Sequence, residues 1–486
     1  MTRGEPMTGP DRRISRRTGR TCQADCIDRR GFLSACGCSA ALAALRPAAA
    51  AIAADCDLLA GQGTVDVTPP LGITMGGFHF PPGNRRVIEG VRQRSFARVL
   101  MVQAGGEQLA LVSLPTLNAS RAFVERVQQS IAEAVDIPPL SVRVCASHSH
   151  SMPTIAFNRQ WGDQHPDYFD TLVAGLTKAS CDARDDMSAA ALYVGAAVAE
   201  QANANRTTET WKTEDLFDSQ ATAEDRWLDR RVNALHFERP GAQTNLLWYH
   251  FSAHPTCFTD RQCGPDWPGA VEADYSDLDR IAPAFLQGHI GDVSPGGGGL
   301  GNAAQTSFHI CRALPRAVLA ARRVRADTLR VASRQINLPV DIELLKQQME
   351  AYRSACPADP ADGWYAGYPG CFERDWYENF AIHYDQSRDQ LPTTIAAIRI
   401  GDLAMVFHPA ELYSYYGLAI ERAVASRHVI VVGYAEDYVG YVPDPRAFRD
   451  QEYAAITVPK ILNYPPFATT VGDRLVEQAA ALVADL

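Results

Sequence analysis

The feature that most restricts the fold is an order of elements that occurs twice, early in the body of the chain and again near its end. Residues 96–102 and 109–114 are β-rich runs split by Gly105-Gly106, which marks a hairpin. Residues 119–135 follow with helical spacing, and Phe123, Val124, Val127, Ile131 and Val135 share one face. A strand over 140–146 then runs straight into Ser147-His148-Ser149-His150. The same grammar returns with strands at 395–400 and 403–407 around Gly401-Asp402, a helix over 412–424, and a strand over 428–432. That last strand runs into the polar loop 433–438. This doubling predicts an α/β fold, with two related lobes of mixed β-sheet flanked by helices. In open α/β sheets ligands collect beyond the carboxyl ends of strands. The polar clusters of this chain fall at such ends, so the site is expected between the lobes.

The rest of the chain reads more simply. Strands are expected at 190–197 and 245–252, and a polar surface stretch with some helix at 198–230. Residues 353–385, rich in Gly, Pro, Trp and Tyr, read as a structured loop over a site. A last amphipathic helix is expected at 470–486, with Val471, Leu475, Val476, Ala479, Leu482 and Val483 on its apolar face.

The N-terminus has a different character. Eight arginines lie in the first 30 residues, the last two opening Arg29-Arg30-Gly31-Phe32-Leu33, and an Ala/Leu stretch follows to about residue 54. A basic region, a short apolar run and small residues describe an export signal, here of the twin-arginine type. Residues 1–55 are therefore expected to be a leader, residues 56–486 the catalytic domain, and the protein periplasmic or extracellular. Arg46-Pro47 interrupts the apolar run and argues against a permanent membrane span. In an exported protein, cysteines close in sequence read as disulfides. The pairs Cys257 with Cys263 and Cys356 with Cys371 are expected to pin loops, and Cys145, Cys181 and Cys311 to be buried thiols. The net charge of −10, with no basic stripe beyond the leader, speaks against a nucleic-acid partner.

Five clusters carry candidate chemistry. His148 and His150, two apart at a strand end, point the same way and can serve a metal and a substrate. His254 precedes Pro255, which ends strand pairing and opens the chain into a loop; His250 on the same strand reads as a buried core histidine. Gly291-Asp292-Val293-Ser294-Pro295 leads into four glycines, where backbone amides could approach a ligand and Ser294 could act as nucleophile or donor. Glu411 follows His408-Pro409, and an acid there is also favoured simply as the start of a helix. Tyr438-Val439-Gly440-Tyr441 and Gln451-Glu452-Tyr453 can line an amide pocket, or pack under a loop.

The order HSHS, SAHPT, GDVSP, P-x-E, Y-x-G-Y and Q-x-Y resembles the neutral/alkaline ceramidases over residues 61–486. The resemblance implies a zinc-dependent amidohydrolase that cleaves the N-acyl amide of ceramide or a related lipid through zinc-bound hydroxide. It implies one zinc ion per chain, held by His148, His254, Glu411 and Tyr441. His150 then serves the amide and its water, Ser294 matches the serine of the family hexapeptide, and Tyr453 meets the carbonyl oxygen. Serine attack by Ser294, with His150 as base, is the rival mechanism. Transient contact with a membrane surface is expected for a lipid substrate, and the oligomeric state is left open. The chain reads as the catalytic domain only, without the family's C-terminal β-sandwich. It departs from the pattern at Met152-Pro153, where a glycine-rich run is usual, and at Gly296, where asparagine is usual. These changes leave two alternatives: the same chemistry on a different small amide, ester or lactone, or a non-catalytic exported binding protein.

Overall fold

A computed structural model describes residues 56, 58–79, 85–240, 244–279, 281–355 and 368–486. The leader expected over residues 1–55 and the Cys356 half of one cysteine pair lie outside the described residues.

The fold is α/β, with mixed sheets flanked by helices. The first sheet has nine strands among the described residues. Its path runs Ala284–Gln287, Leu246–Phe251, Arg231–Glu238, Ser188–Val198, Leu58–Asp66, Phe96–Ala104, Glu107–Leu114 and Val142–Ala146, and the ninth strand, Arg322–Arg323, pairs with Ser188–Val198 off this path. The outermost pair at each end is parallel and the interior pairs along the path are antiparallel. The second sheet runs Leu329–Pro339, Gln390–Ile400, Leu403–Phe407 and His428–Val432. In both sheets a hairpin is followed by a helix, Arg121–Val135 or Ser414–Ala423, and then by a strand parallel to the hairpin's second arm.

Strand residues alternate between two faces. Here both faces are covered, which is why the strands read as unbroken apolar runs. Leu100, Val102, Leu109 and Leu111 of the first sheet share one core with Ile398, Ile400, Leu403 and Met405 of the second, so the sheets pack face to face. Val99, Met101, Ala110 and Val112 point the other way, onto the helices Arg121–Val135 and Pro166–Asp185. Ala404, Val406 and Val431 of the second sheet face Ser414–Ala423 and Val471–Ala484. The helix Arg121–Val135 buries the expected face, and Ser120 accepts the Phe123 amide at its start.

The edge strand Val142–Ala146 is stitched to the loop after the second sheet. The Ala146 amide donates to the Tyr434 carbonyl, 3.0 Å away, and the Glu436 amide to Val144. A buried ion pair, Arg143 to Glu436 at 2.8 Å, closes the seam.

Three expectations are corrected. No disulfide occurs among the described residues, and Cys257 and Cys263 are both free. Cys263 sits in a small apolar cluster with Met75 and Ile88, whereas the Cys257 thiol bonds to the buried Asp266 carboxylate, so the two thiols serve different neighbours. The described part of 353–385 is no loop over the site. It belongs largely to the helices Ile342–Ala355 and Tyr368–Asn379, and Trp376 is buried with Leu345, Met349 and Ala381. Third, Glu411 does not open a helix: it sits in the strand Ala410–Leu412, and the helix begins at Ser414.

Candidate metal centre

The local pairings explain why remote residues meet. The strand Ala410–Leu412 runs parallel to Gly440–Val442, with Glu411 opposite Tyr441. His148 follows the edge strand with φ 66°, a left-handed turn that is uncommon for a side-chain-bearing residue and recurs at functional sites. His254 leaves the strand Leu246–Phe251 and its amide donates to the Val293 carbonyl.

These segments converge. Nitrogens of His148, His150 and His254 all lie within 4.8 Å of one another in a buried group suited to a metal ion. Glu411 Oε2 is 3.2 Å from His254 Nε2 and 3.5 Å from His148 Nε2. The Tyr441 hydroxyl is 3.5 Å from His254 Nε2. His150 Nε2 is 3.1 Å from His148 Nε2.

The outer nitrogens decide what this arrangement can hold. His148 Nδ1 lies 2.7 Å from the Leu117 carbonyl and His254 Nδ1 2.9 Å from the Val293 carbonyl. A carbonyl only accepts, so both Nδ1 atoms carry hydrogen. Burial lowers both imidazoles, His254 to about 3, so they are neutral and their Nε2 atoms are bare lone pairs. Burial alone would raise Glu411, but its neighbours hold it down to about 2, and the Tyr438 hydroxyl donates to its Oε1. Lone pairs of two imidazoles therefore face a carboxylate oxygen with no hydrogen between them. A divalent cation turns that repulsion into coordination, with outer-nitrogen bonds to carbonyls of the kind that orient metal-ligating histidines.

The other expected residues divide. Tyr453 opens the short helix Tyr453–Ile456 and is 49% exposed, its ring 6.3 Å from that of Tyr441. That places it at the rim. Ser294 lies on the strand Val293–Pro295, and its hydroxyl donates to the Ala204 carbonyl at 3.3 Å rather than to a histidine. Nearby amides are also committed, Gly291 to Leu412, Val293 to Ile290 and Gly296 to Ala202, so they do not form a ready oxyanion hole. Replacing Ser294 with alanine removes one neutral hydrogen bond, worth about 1 kcal/mol. We expect kcat to change by less than about tenfold, a result that a serine nucleophile could not survive.

Sequence reasoning missed Arg206. It follows the strand Asn203–Asn205, which pairs with Val293–Pro295 and draws it inward. Its guanidinium donates to the Tyr441 hydroxyl at 2.6 Å and to the Gly291 carbonyl at 2.8 Å. Burial lowers its affinity for the proton, but Tyr441 and Glu411 more than offset this and raise it. A lone arginine in a polar stretch gave no signal. Tyr434, whose ring is tilted against His148 with centroids 4.2 Å apart, was visible only as part of a polar loop.

Comparison with known proteins completes the description. The family model for neutral/alkaline non-lysosomal ceramidase, N-terminal, matches residues 58–313, more than half of the chain. The chain belongs to the neutral/alkaline non-lysosomal ceramidases. The fold is similar to that of a neutral ceramidase from Pseudomonas aeruginosa, at 21% identity and a TM-score of 0.67, covering 89% of this chain and 75% of that one. A ceramidase complexed with C2 is similar at 18% identity and a TM-score of 0.65, covering 89% of this chain and 76% of that one. No curated protein matches. Family and site together make the chain a metal-dependent amidohydrolase acting on an N-acyl lipid.

The ceramidase match also corrects the reading of the chain as a catalytic domain only, lacking the C-terminal sandwich. The family model describes an N-terminal region and ends at residue 313. Residues 314–486 add the four-stranded sheet and carry Glu411 and Tyr441, and the likeness to solved ceramidases runs through most of the chain.

Proposed function

We propose that the chain is a zinc-dependent amidohydrolase that cleaves ceramide or a related N-acyl lipid, one zinc ion being held by His148, His254, Glu411 and Tyr441. The observation that carries this reading is the facing of two bare imidazole nitrogens and a carboxylate oxygen within 3.5 Å, with their outer nitrogens already committed. When bound, zinc would supply a Lewis acid that polarises the acyl carbonyl and makes water acidic near neutral pH. The protein's residues do the rest. Tyr438 and Arg206 fix Glu411 and Tyr441 in place. His150, beside His148, moves a proton to the leaving amine nitrogen. Tyr453 at the rim donates to the acyl oxygen.

All four proposed ligands are buried. The test is zinc analysis of the purified protein together with a substrate panel of ceramide and short N-acyl amides. We expect about one zinc per chain, loss of turnover on chelation, and restoration by zinc. Full turnover after chelation would refute a metal mechanism. Hydrolysis of short amides with none of ceramide would move the substrate to the small-amide alternative.

The reading extends to two features of organisation. We read the two sheets as related halves, on the shared order of hairpin, helix and parallel strand. The twin-arginine pattern of residues 1–55 supports export of a folded enzyme, testable by cell fractionation with Arg29-Arg30 intact and replaced.

A further inference from the structure

Arg86 is a cation in the protein interior, 2% exposed, and no salt bridge with a carboxylate accompanies it among the described residues. A buried charge needs compensation. Here it comes from backbone carbonyls of two loops, Nη1 donating to His150 O, Nε to Asp260 O at 2.6 Å, and Nη2 to Phe258 O at 3.0 Å, with longer-range attraction from the Asp260 and Asp266 carboxylates. The same guanidinium lies 5.1 Å from the centroid of the Phe78 ring. Phe78 in turn meets the His150 imidazole edge-on, with centroids 4.9 Å apart. Gly77 completes the enclosure. At φ 88° its backbone lies so near His150 that a methyl group there would overlap the imidazole. The His150 amide is tied to the Pro255 carbonyl at 3.0 Å.

His150 is thus held at its carbonyl by Arg86, at its amide by Pro255, and across its ring by Gly77 and Phe78. From this enclosure we infer that Arg86 is a positioning residue for proton transfer, fixing the His150 imidazole through its own peptide carbonyl and through Phe78. The inference rests on the reading of His150 as the group that moves a proton at the amide nitrogen. It concerns orientation only, since Arg86 touches neither the proposed ligands nor the reacting atoms. Arginine suits the place because its planar fork reaches several carbonyls at once, which a lysine cannot do.

The experiment uses full-length, zinc-loaded protein and ceramide with a fluorescent acyl chain as substrate, comparing Arg86→Gln, Arg86→Lys and Phe78→Leu alone and combined with His150→Ala. Misplacing a catalytic group by a fraction of an ångström to one ångström costs about ten- to a hundredfold. We expect Arg86→Gln to lower kcat by about tenfold or more, with KM and zinc content unchanged and Arg86→Lys restoring part of the loss. In the His150→Ala background the Arg86→Gln effect should vanish, because both act through one group. A crystal structure of Arg86→Gln should show the imidazole turned away from His148. An Arg86→Gln loss that persists in full without His150, or zinc lost in proportion to activity, overturns the inference. If Arg86→Gln does not fold, Phe78→Leu gives the same readings, and an undiminished Phe78→Leu effect without His150 overturns it equally. If His150→Ala alone turns over at the wild-type rate, the role of His150 fails and that of Arg86 with it. The zinc assignment would stand, because its own test is chelation.

Discussion

Replacing His254 with alanine is expected to remove zinc and activity in one step. The side chain is fully buried, its Nε2 lies 3.2 Å from the Glu411 carboxylate, and its Nδ1 is anchored to Val293. The cut removes one of two imidazole donors that face the acid and leaves a single imidazole with a carboxylate and a phenol, an oxygen-rich set that holds zinc more weakly than one with two imidazoles. Without the ion the acyl carbonyl is not polarised and water keeps its ordinary acidity. Zinc should fall from about one per chain to a small fraction, and kcat/KM by at least about a thousandfold. Circular dichroism should show the fold retained, since the backbone of residue 254 keeps its bonds to Val293 and Trp267. Metal analysis and turnover on the same preparation decide the matter. A His254→Ala protein free of metal that still hydrolyses substrate would end the proposal.

Acid should unfold the protein well before its carboxylates are all protonated. His250, His289 and His408 are fully buried between the two sheets, outside the metal centre. The His250 imidazole donates to the Val431 carbonyl and accepts from Asn233; His289 lies 3.5 Å from Asp229; His408 accepts the Ala410 amide. Burial lowers His250 and His289 to about 4 and His408 to about 3. In the unfolded chain each would titrate near 6.5. Between those values the unfolded state binds more protons, so stability falls as pH drops from about 6.5 and the loss is complete near 4, or near 3 for His408. His250 and His289 contribute about 3 kcal/mol each to this loss and His408 about 5 kcal/mol. Together they rival a typical folding free energy of about 5–15 kcal/mol. Asp229, held near 2, acts in the same direction but only below this window, because there too the unfolded state binds more protons. The midpoint of thermal unfolding should therefore drop steeply from pH 6.5 to 4, and His289→Gln should flatten the curve. Parallel curves for the wild type and His289→Gln would show that the buried imidazoles are not the cause.

Most of the frame could be read from the residues because local signals and long-range packing agreed. The hairpin at Gly105-Gly106 and the helix face of Phe123, Val127 and Ile131 were visible, as was the strand that delivers His148. Glu411 was assigned to a helix start because an acid before an apolar stretch suits one. Its actual strand exists only through pairing with Gly440–Val442, a partner that no local pattern reveals. Arg206 was hidden for the same reason, since the strand that draws it inward pairs with residues 293–295. The cysteine spacing misled because proximity along the chain does not fix where two thiols point. Sequence spacing found the residues with unusual chemistry, and pairing at a distance chose their neighbours.

Glu411 and His254 stand 157 positions apart, and the acid belongs to the part of the chain beyond the family-model match. A nascent polypeptide that has emerged only to residue 313 already holds three imidazoles but no acid or phenol to oppose them. The four residues read as ligands can meet only once the strands Ala410–Leu412 and Gly440–Val442 have paired beside the three histidines, so the earlier part of the chain cannot assemble the set by itself.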